Sequence, residues 1–313
     1  MDNADSKPAR SFSKIDFSGL MDLRVDYAFK RTFSSGDPLF LISLLNSIFA
    51  NKKIPRIIKS LAILNPYLEK HSEADKLSIL DIRAQLCDGT AVLVEMHLYG
   101  LGDLKYKTIR SWARAYSEEI REGESYSTQP PVVCVAFVNG SLDGSESQKI
   151  HKCCKIMDID DHTVFTDALE LHYIDMKAFV RTINEAGGIG KGEIKEAMLA
   201  KWLAVITEKD IKDKSIIESI CVEEEEIGMV VSELVKLSED RVIRQAYQRR
   251  QDDILLYNKR ISDYERTIEQ AGRIIEQEKL KAEQEKRKAE QAEAALVDKD
   301  AIIAELRSRL GEL

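Results

Sequence analysis

The C-terminal quarter of the chain carries an apolar repeat that constrains its structure more than any other sequence feature. From Ile254 onward, alternating steps of three and four residues meet an apolar side chain at almost every position. A 3.5-residue period, held for more than eight heptads, is typical of helices that form coiled coils. We call this stripe the seam; its 18 positions are Ile254, Tyr257, Ile261, Tyr264, Ile268, Ala271, Ile275, Glu278, Ala282, Glu285, Ala289, Ala292, Leu296, Lys299, Ile303, Leu306, Leu310 and Leu313.

Only three charged residues interrupt the seam: Glu278, Glu285 and Lys299. No proline follows Pro131, so nothing in this region forces a helix to break. We therefore predict one long helix over residues 241–313 that forms a coiled coil and joins copies of the chain into a homo-oligomer. The alternative is a single charged helix, because the middle of the seam presents mainly alanine and buries little apolar surface.

The same helix explains the charge composition of the chain. Charged residues make up 32% of the 313 residues, against about 25% in an average soluble protein. Residues 241–313 hold 16 Lys+Arg and 15 Asp+Glu, whereas residues 1–240 hold 30 and 39. The net charge of -8 therefore comes from the N-terminal part. This acidity argues against coating nucleic acid through bulk charge, but it leaves room for a local basic groove.

Composition also bounds the domain organisation and the cellular setting. We divide the chain into a flexible N-terminal tail (1–20), a folded α/β domain (21–240) and the long helix (241–313). No apolar stretch approaches the ~20 residues that a membrane span needs, and the N-terminus lacks the apolar core of a secretory signal. The five cysteines are an odd number without a disulfide-like spacing, which favours a reduced, cytoplasmic protein that does not contact a membrane.

The stretch Leu77–Tyr99 predicts a β-hairpin. Apolar and polar side chains alternate on both sides of Asp88-Gly89, which is a strong hairpin-turn signal. If the turn contains three residues, Asp81 on the first strand lies directly opposite Glu95 on the second, and the two side chains share a face. The hairpin therefore gathers two carboxylates within a few ångströms.

Two carboxylates on facing strands repel each other unless a cation lies between them. A hard divalent ion such as Mg²⁺ is the usual solution in proteins. His97 follows Glu95 by two residues on the same face, where it could orient or deprotonate a metal-bound water. The alternative is that Asp81, Glu95 and His97 simply form the solvent-exposed face of an antiparallel hairpin.

The spacing of Asp81, Glu95 and the polar residue at position 97 resembles the core of the PD-(D/E)XK nuclease superfamily. Over roughly residues 20–250 the chain resembles the Rpn family of recombination-promoting nucleases and putative transposases in particular. The segments that carry this resemblance are Asp26–Phe33, Leu44–Ile48, Asp75-Lys76, Ile79–Ile82, Asp88-Gly89, Glu95-Met96, Arg110, Gly123–Tyr126, Pro131–Val133 and Leu169–Asp175.

The resemblance implies a restriction-endonuclease-like core, with a mixed central sheet between helices, followed by a helical region and the long helix. It implies that Asp81 and Glu95 bind one or two Mg²⁺ ions, that Asp26 from the first helix is an outer ligand, and that His97 positions the attacking water. The implied activity is metal-dependent hydrolysis of DNA phosphodiester bonds, in recombination or transposition.

The chain departs from the family at position 97. Members of the family typically carry Gln two residues after the metal-binding Glu, and the wider superfamily carries Lys, whereas this chain carries His97. A neutral His can accept a proton and a protonated His can resemble Lys. The departure therefore keeps open a second function, in which the protein retains a nuclease fold without activity and acts as a coiled-coil interaction module.

A DNA-cleaving site also needs local positive charge. Four cations follow the hairpin at roughly helical spacing and, with two from the opening helix motif, could line a phosphate-binding groove: Lys105, Lys107, Arg110 and Arg114, with Lys30 and Arg31. We predict that Lys30, Lys105, Lys107 and Arg110 contact DNA phosphates, which gives strong salt dependence and little base reading. The alternative is an ordinary solvated helix face.

A further group of potential metal ligands, His151, Cys153, Cys154 and His162, is a poor match to structural zinc sites. The two cysteines are adjacent and the spacing is irregular, whereas structural zinc ligands usually recur at set intervals. We therefore predict no zinc site in this region.

Overall fold

The computed structural model describes residues 16–50, 57–64, 67–68, 78–79, 81–98, 101–120, 122–142, 149–187 and 197–311. The chain divides into two compact units, Met1–Gln251 and Asp252–Leu313. Residues 1–15 of the predicted tail and the Asp75-Lys76 segment lie outside the described residues.

The first unit is built on a six-stranded mixed sheet with the order β1-β4-β5-β6-β8-β7. In the centre, β5, β6 and β8 run parallel, while β1, β4 and β7 pair antiparallel with their neighbours. Two further strands, β2 and β3, form a short antiparallel pair. The strands are β1 (Leu61–Leu64), β2 (Tyr67–Leu68), β3 (Ser78–Ile79), β4 (Ile82–Leu86), β5 (Ala91–His97), β6 (Val132–Val138), β7 (His151–Met157) and β8 (Val164–Asp175).

Helices cover both faces of the sheet, so the predicted α/β architecture is confirmed. Helix α3 packs on β6 and β8 on one face, and α1, α2 and α4 lie on the other, with α5 and α7 packed against them. The helices are α1 (Asp26–Ser34), α2 (Pro38–Phe49), α3 (Leu104–Glu118), α4 (Met176–Ala186), α5 (Ala197–Ile206), α6 (Ser215–Glu223), α7 (Glu225–Glu239) and α8 (Arg241–Gly311).

Local sequence signals set several helix boundaries. Asp37 accepts a hydrogen bond from the Leu39 N–H at the start of α2, and Pro38 occupies the first turn, where its missing N–H costs nothing. Asp175 caps α4 in the same way, because its side chain accepts from the Ala178 N–H. The Asp175 cap lies where β8 ends and the chain enters α4.

The predicted hairpin is present, with the register that a three-residue turn requires. Ile82 pairs with Val94, and the Gly89 N–H donates to the Leu86 carbonyl at 3.0 Å. Gly89 has a φ of 86°, a left-handed conformation that glycine adopts without steric cost. Continuing the register by one residue places Asp81 opposite Glu95.

The two strands of the hairpin differ in burial. On β4, buried and partly buried residues alternate, as predicted for a half-exposed strand. On β5, every residue from Ala91 to Met96 is buried, because β5 lies between β4 and β6 with helices on both faces. Glu95 is only 6% exposed. The alternative of a solvent-exposed hairpin face is therefore wrong for Glu95.

At the N-terminal end, the packed chain begins before the predicted boundary at residue 21. Phe17 and Leu20 are buried, and the Lys209 ammonium donates to the Phe17 carbonyl at 2.6 Å. The Met21 N–H donates to the Ser238 hydroxyl at 3.0 Å, so this segment is anchored on α7. The stretch around Phe17–Leu20 is thus part of the fold, since its side chains find apolar partners there.

The long helix begins at Arg241, where the sequence predicted it. Its first turns belong to the first unit: Tyr247 is buried and its hydroxyl accepts from the Asp22 N–H at 2.9 Å. In the second unit the helix is continuous to Gly311, and the seam residues Tyr264 and Ile268 are exposed in the single chain. The helix is thus confirmed, and its association into a coiled coil stays a prediction. No helix in the described part of the chain has the length and apolar character to cross a membrane.

Candidate active site

Asp81 lies at the entrance to β4 and is tied to the backbone of β5. Its Oδ2 accepts a hydrogen bond of 2.6 Å from the Met96 N–H. Met96 stands between Glu95 and His97, so this bond holds the Asp81 carboxylate beside both residues. The register of the hairpin, rather than a loop, therefore positions the first carboxylate of the site.

Glu95 has partners at both carboxylate oxygens. His97 Nε2 lies 2.7 Å from Oε2, and the Ser111 hydroxyl of α3 donates to Oε1 at 3.3 Å. Lys107 Nζ lies 3.9 Å from Oε2. Ser111 and Lys107 are four residues apart, so they project from the same face of α3. Ser111 was not among the residues predicted for the site, although its four-residue spacing from Lys107 was a usable signal.

The environment separates the pKa values of the two carboxyls. Burial, together with the charges of Asp26 and Glu95, raises the pKa of Asp81 to about 7, although the Met96 N–H and the Lys107 charge oppose the shift. Burial also acts on Glu95, but the hydrogen bond from His97 and the charge of Lys107 outweigh it, and the pKa of Glu95 is lowered. Glu95 is therefore ionised at neutral pH, while Asp81 retains its proton to a much higher pH than an ordinary Asp.

This donor set fits a hard divalent cation. The raised pKa of Asp81 reports that its ionisation is unfavourable, first because the carboxyl is buried and then because Asp26 and Glu95 add negative charge. A divalent ion removes that cost and binds oxygen ligands of this type. Within the described part of the chain, Asp81, Glu95 and His97 do not all come within 4.8 Å of one another. An ion held by the two carboxylates would take its remaining ligands from water or substrate oxygens.

Asp26, the predicted outer ligand, is the first residue of α1. Its two carboxylate oxygens accept hydrogen bonds from Arg250 Nε at 2.8 and 2.9 Å, and Oδ1 also accepts from the Tyr27 N–H at 2.8 Å. Asp26 lies near enough to Asp81 for its charge to raise the pKa of that carboxyl. It therefore belongs to the electrostatic surroundings of Asp81, and metal ligation by Asp26 stays a prediction.

The cations predicted to contact DNA are distributed over two helices. Lys105, Lys107 and Arg110 are exposed on α3, and Lys30 is partly buried on α1. Arg114, in contrast, is buried on the inner face of α3 and does not line an exposed groove. Among these cations, Lys107 reaches the Glu95 carboxylate, with Nζ 3.9 Å from Oε2.

Comparison with known proteins identifies one family. No curated protein and no solved structure matches the chain. The family model for the PD-(D/E)XK nuclease family transposase matches residues 23–271. This range includes the hairpin, the predicted cations and the first part of α8. The chain therefore belongs to the PD-(D/E)XK nuclease family of transposases, as the hairpin carboxylates and the order of the surrounding motifs indicated.

Proposed function

We propose that the protein is a Mg²⁺-dependent DNA endonuclease that hydrolyses phosphodiester bonds in the cytoplasm, in recombination, transposition or other mobile-element biology. The observation that carries the proposal is the position of Asp81 opposite Glu95, with the pKa of Asp81 raised to about 7. Holding both carboxylates ionised in the sheet is unfavourable, because Asp81 is buried beside other acidic groups. A divalent ion would offset this cost, whereas a purely structural role would not.

Asp81 and Glu95 would hold the ion, with Asp26 as an outer acidic group. When bound, a divalent ion lowers the pKa of water and offsets the charge that builds on a scissile phosphate. Asp81 must lose its proton before it becomes a ligand. Because its pKa is about 7, metal binding strengthens as the pH rises through neutrality.

His97 and Lys107 supply the polar groups around the carboxylates. His97 contacts Glu95 through Nε2, which fixes the ring and leaves Nδ1 as the nitrogen that can accept a hydrogen bond from the attacking water and position it. The Lys107 ammonium carries a positive charge on the exposed side of Glu95. We infer that Lys107 binds the phosphate next to the scissile bond and supplies a positive charge there, which a neutral Gln at position 97 cannot supply.

DNA binding relies on phosphate contacts from α3 and α1. Lys105, Lys107 and Arg110 are exposed, and Lys30 adds a fourth cation. Each cation that neutralises a phosphate contributes about one unit to the salt dependence of binding. Base-specific contacts are not required by this arrangement, so we expect low sequence preference.

The seam of α8 supports a homo-oligomer. Apolar seam side chains between residues 257 and 275 are exposed in the single chain, and a second copy of the same helix provides a complementary stripe. Two copies would bring two active sites into one assembly. Such an assembly is suited to cutting both strands of DNA or to holding two DNA segments.

A second candidate function is that of an inactive nuclease fold that binds partners through α8. The observation that favours it is His97, which stands where the family typically has Gln and whose Nε2 is engaged with Glu95. In this case the raised pKa of Asp81 reflects an arrangement of carboxylates that the fold has kept although the protein no longer cleaves DNA.

A plasmid-nicking assay tests the proposal. Purified protein is incubated with supercoiled plasmid over a range of Mg²⁺ and Mn²⁺ concentrations, as wild type and as Asp81→Asn. The matched control is Asp88→Asn, which makes the same change in the same hairpin at an exposed turn residue where Asn is equally favourable. We expect metal-dependent nicking by wild type and Asp88→Asn, and none by Asp81→Asn.

The possible results separate the two candidates. Nicking that survives Asp81→Asn contradicts the proposed site. If wild type does not nick with any divalent metal between pH 6 and 9, the interaction module is favoured.

The oligomer is tested on two neighbouring isoleucines of α8. Ile275 lies in the seam and Ile274 does not, and both are exposed to a similar extent in the single chain. We expect Ile268→Ser combined with Ile275→Ser to reduce the mass measured by light scattering to that of a monomer, while Ile274→Ser leaves it unchanged. Equal masses for all three proteins contradict self-association through the seam.

A further inference from the structure

The hairpin of β7 and β8 gathers a second group of potential metal ligands, on the face of the sheet opposite to Glu95. Cys153 on β7 pairs directly with His172 on β8, and Glu170 lies two residues before His172. One ligand atom from each of the three residues lies within 4.8 Å of the other two. Among the described residues, no other group of three or more Cys, His, Asp or Glu side chains is this compact.

The inner members of this group are held rigidly. His172 is fully buried and Glu170 is 2% exposed. His172 Nε2 lies 2.6 Å from Glu170 Oε1, and its Nδ1 lies 2.8 Å from His151 Nε2. The His172 ring also packs against Phe49 of α2. The imidazole is thus oriented from both sides, as ligand histidines are in metal sites.

The outer member faces solvent. Cys153 is exposed, so an ion can reach the group without opening the core. The neighbouring Cys154 is also exposed, but strand alternation directs its side chain to the other face of β7. Adjacent cysteines, which obscured any ligand spacing in the sequence, are therefore separated by the strand, and only one of them joins the group.

The chemistry of the three donors favours zinc. A thiolate, an imidazole and a carboxylate are its usual protein ligands, at about 2.3, 2.0–2.1 and 2.0–2.2 Å. Ligand atoms around a tetrahedral zinc ion at these bond lengths are about 3.3–3.8 Å apart. The observed contact between His172 and Glu170 needs to open by less than about 1 Å. The thiol lies within 4.8 Å of both partners and needs to approach by at most about 1.3 Å.

We propose that Cys153, Glu170 and His172 bind a zinc ion, with His151 holding the His172 ring through Nδ1. Zinc replaces the proton shared between His172 Nε2 and Glu170 and the proton of the Cys153 thiol. Three protein ligands leave the fourth position to water or to an external ligand. This proposal does not rest on the proposed nuclease activity, because the two groups use no residue in common.

Lys155 would compete with zinc for the Glu170 carboxylate. Its Nζ lies 3.3 Å from Glu170 Oε2 and 2.8 Å from Asp167 Oδ1. In the metal-free protein Lys155 therefore offsets the charge of the buried Glu170. When zinc takes over this role, Lys155 keeps its contact with Asp167, which is largely exposed.

Titration of the reduced full-length protein with CoCl₂ tests the proposal, because only a thiolate ligand gives cobalt a charge-transfer band in the near ultraviolet. Excess Mg²⁺ is present, and ZnCl₂ is then added to displace the cobalt. The variants are Cys153→Ser and the matched Cys154→Ser, which makes the same change on the opposite face of the same strand. Both sites are exposed, so neither change should unfold the protein.

We expect the band in wild type and Cys154→Ser, its loss on addition of zinc, and no band in Cys153→Ser. Zinc affinity, measured by competition with a chelating dye, should fall more than about 100-fold in Cys153→Ser and about 10–100-fold in His151→Ala. A band that persists in Cys153→Ser, or the absence of a band in wild type, overturns the proposal. Neither result depends on whether the protein nicks plasmid.

Discussion

Two Glu-x-His segments lie on two strands of one sheet that flank β6. They share the same short sequence but differ in the face of the sheet they occupy and in their cross-strand partners. Glu95 and His97 are on β5, and Glu170 and His172 are on β8; in each segment the His Nε2 contacts a carboxylate oxygen of the Glu, at 2.7 and 2.6 Å. The pairing of β5, β6 and β8 aligns Glu95 with Tyr173, so the two segments face opposite sides of the sheet.

The strand opposite each segment determines its chemistry. Across from Glu95, the residue before β4 adds a second carboxylate, Asp81, and Lys107 is the nearby cation. Lys155 on β7 pairs with Glu170 and supplies a positive charge to its carboxylate. Two residues earlier on β7, Cys153 pairs with His172. The comparison shows that a short motif does not define a site by itself. Under both proposals, the cross-strand neighbours decide whether the motif favours a hard oxygen-binding ion or a softer one.

The largest expected effect is on the rate of plasmid nicking, which should fall when Glu95 is changed and not when Glu170 is changed. Glu95→Gln and Glu170→Gln make the same isosteric change. We expect Glu95→Gln to reduce Mg²⁺-dependent nicking by about 1,000-fold or more, since it removes a charged ligand from the site. Glu170→Gln should stay within about threefold of wild type. Initial rates on supercoiled plasmid measure both, with circular dichroism as the control for folding.

The opposite result would break the comparison. Equal losses of activity in the two folded variants would mean that both segments serve one reaction, and the assignment of the active site to the β4–β5 hairpin would have to be withdrawn.

The second prediction concerns Asp81 and the stability of the metal-free protein. Because the pKa of Asp81 is raised from 3.8 to about 7 in the folded state, its contribution to stability is complete below pH 4 and is lost as the pH rises through 7. Between pH 5 and pH 8 this loss amounts to up to about 3 kcal/mol. Urea denaturation in EDTA measures it, and Mg²⁺ should restore stability at pH 8.

Asp81→Asn is the matched control, since an amide does not titrate. The variant should be less sensitive to pH between 5 and 8 than wild type and should gain no stability from Mg²⁺. A wild-type protein whose stability does not fall over this range would contradict the raised pKa and, with it, the electrostatic argument for a cation.

Much of the β4–β5 hairpin could be predicted from the sequence, because its strands and its turn are specified by residues close together in the chain. Alternation defined the two strands, and Asp88-Gly89 defined the turn and hence the register of Asp81 with Glu95. The burial of Glu95 could not be predicted, because it depends on the parallel pairing of β5 with β6, which follows only after α3. Arg114 was misplaced for a similar reason: the sequence does not show which face of α3 packs on the sheet.

The group of Cys153, Glu170 and His172 could not be predicted from the sequence. From sequence, Cys153 and Cys154 form one irregular pair, and Glu170 has no visible relation to them. Antiparallel pairing of β7 with β8 separates the cysteines onto two faces and brings Cys153 to His172. The bulge between Lys155 and Met157 further changes the register, so no counting rule along the chain would have found this set.

The third prediction uses the two lysines that stand beside the two glutamates. Lys155 is 25% exposed at the side chain and contacts a buried carboxylate, whereas Lys107 is 56% exposed. In metal-free protein, Lys155→Met should lower the free energy of unfolding by about 2 kcal/mol, because Glu170 loses its countercharge inside the protein. Lys107→Met should change it by less than about 0.5 kcal/mol. Urea denaturation at pH 7 measures both.

Lys107→Met has its effect on DNA instead. It should weaken binding to plasmid-derived duplexes irrespective of sequence and reduce the slope of log affinity against log salt by about one. If Lys107→Met destabilised the protein as much as Lys155→Met, the contrast between a solvated and a buried countercharge would be wrong.

The smallest expected effect concerns His97, where the chain departs from its family. His97→Gln keeps a side chain that can donate to Glu95, so Glu95 stays ionised and the nicking rate should remain within about threefold of wild type. His97→Ala removes the hydrogen bond that lowers the pKa of Glu95, and it should cost more than His97→Gln. The same changes at His172 should leave nicking unaffected. A rate lost in both His97 variants would show that the imidazole itself takes part in the reaction, and that this chain has replaced the role of the family Gln with proton transfer.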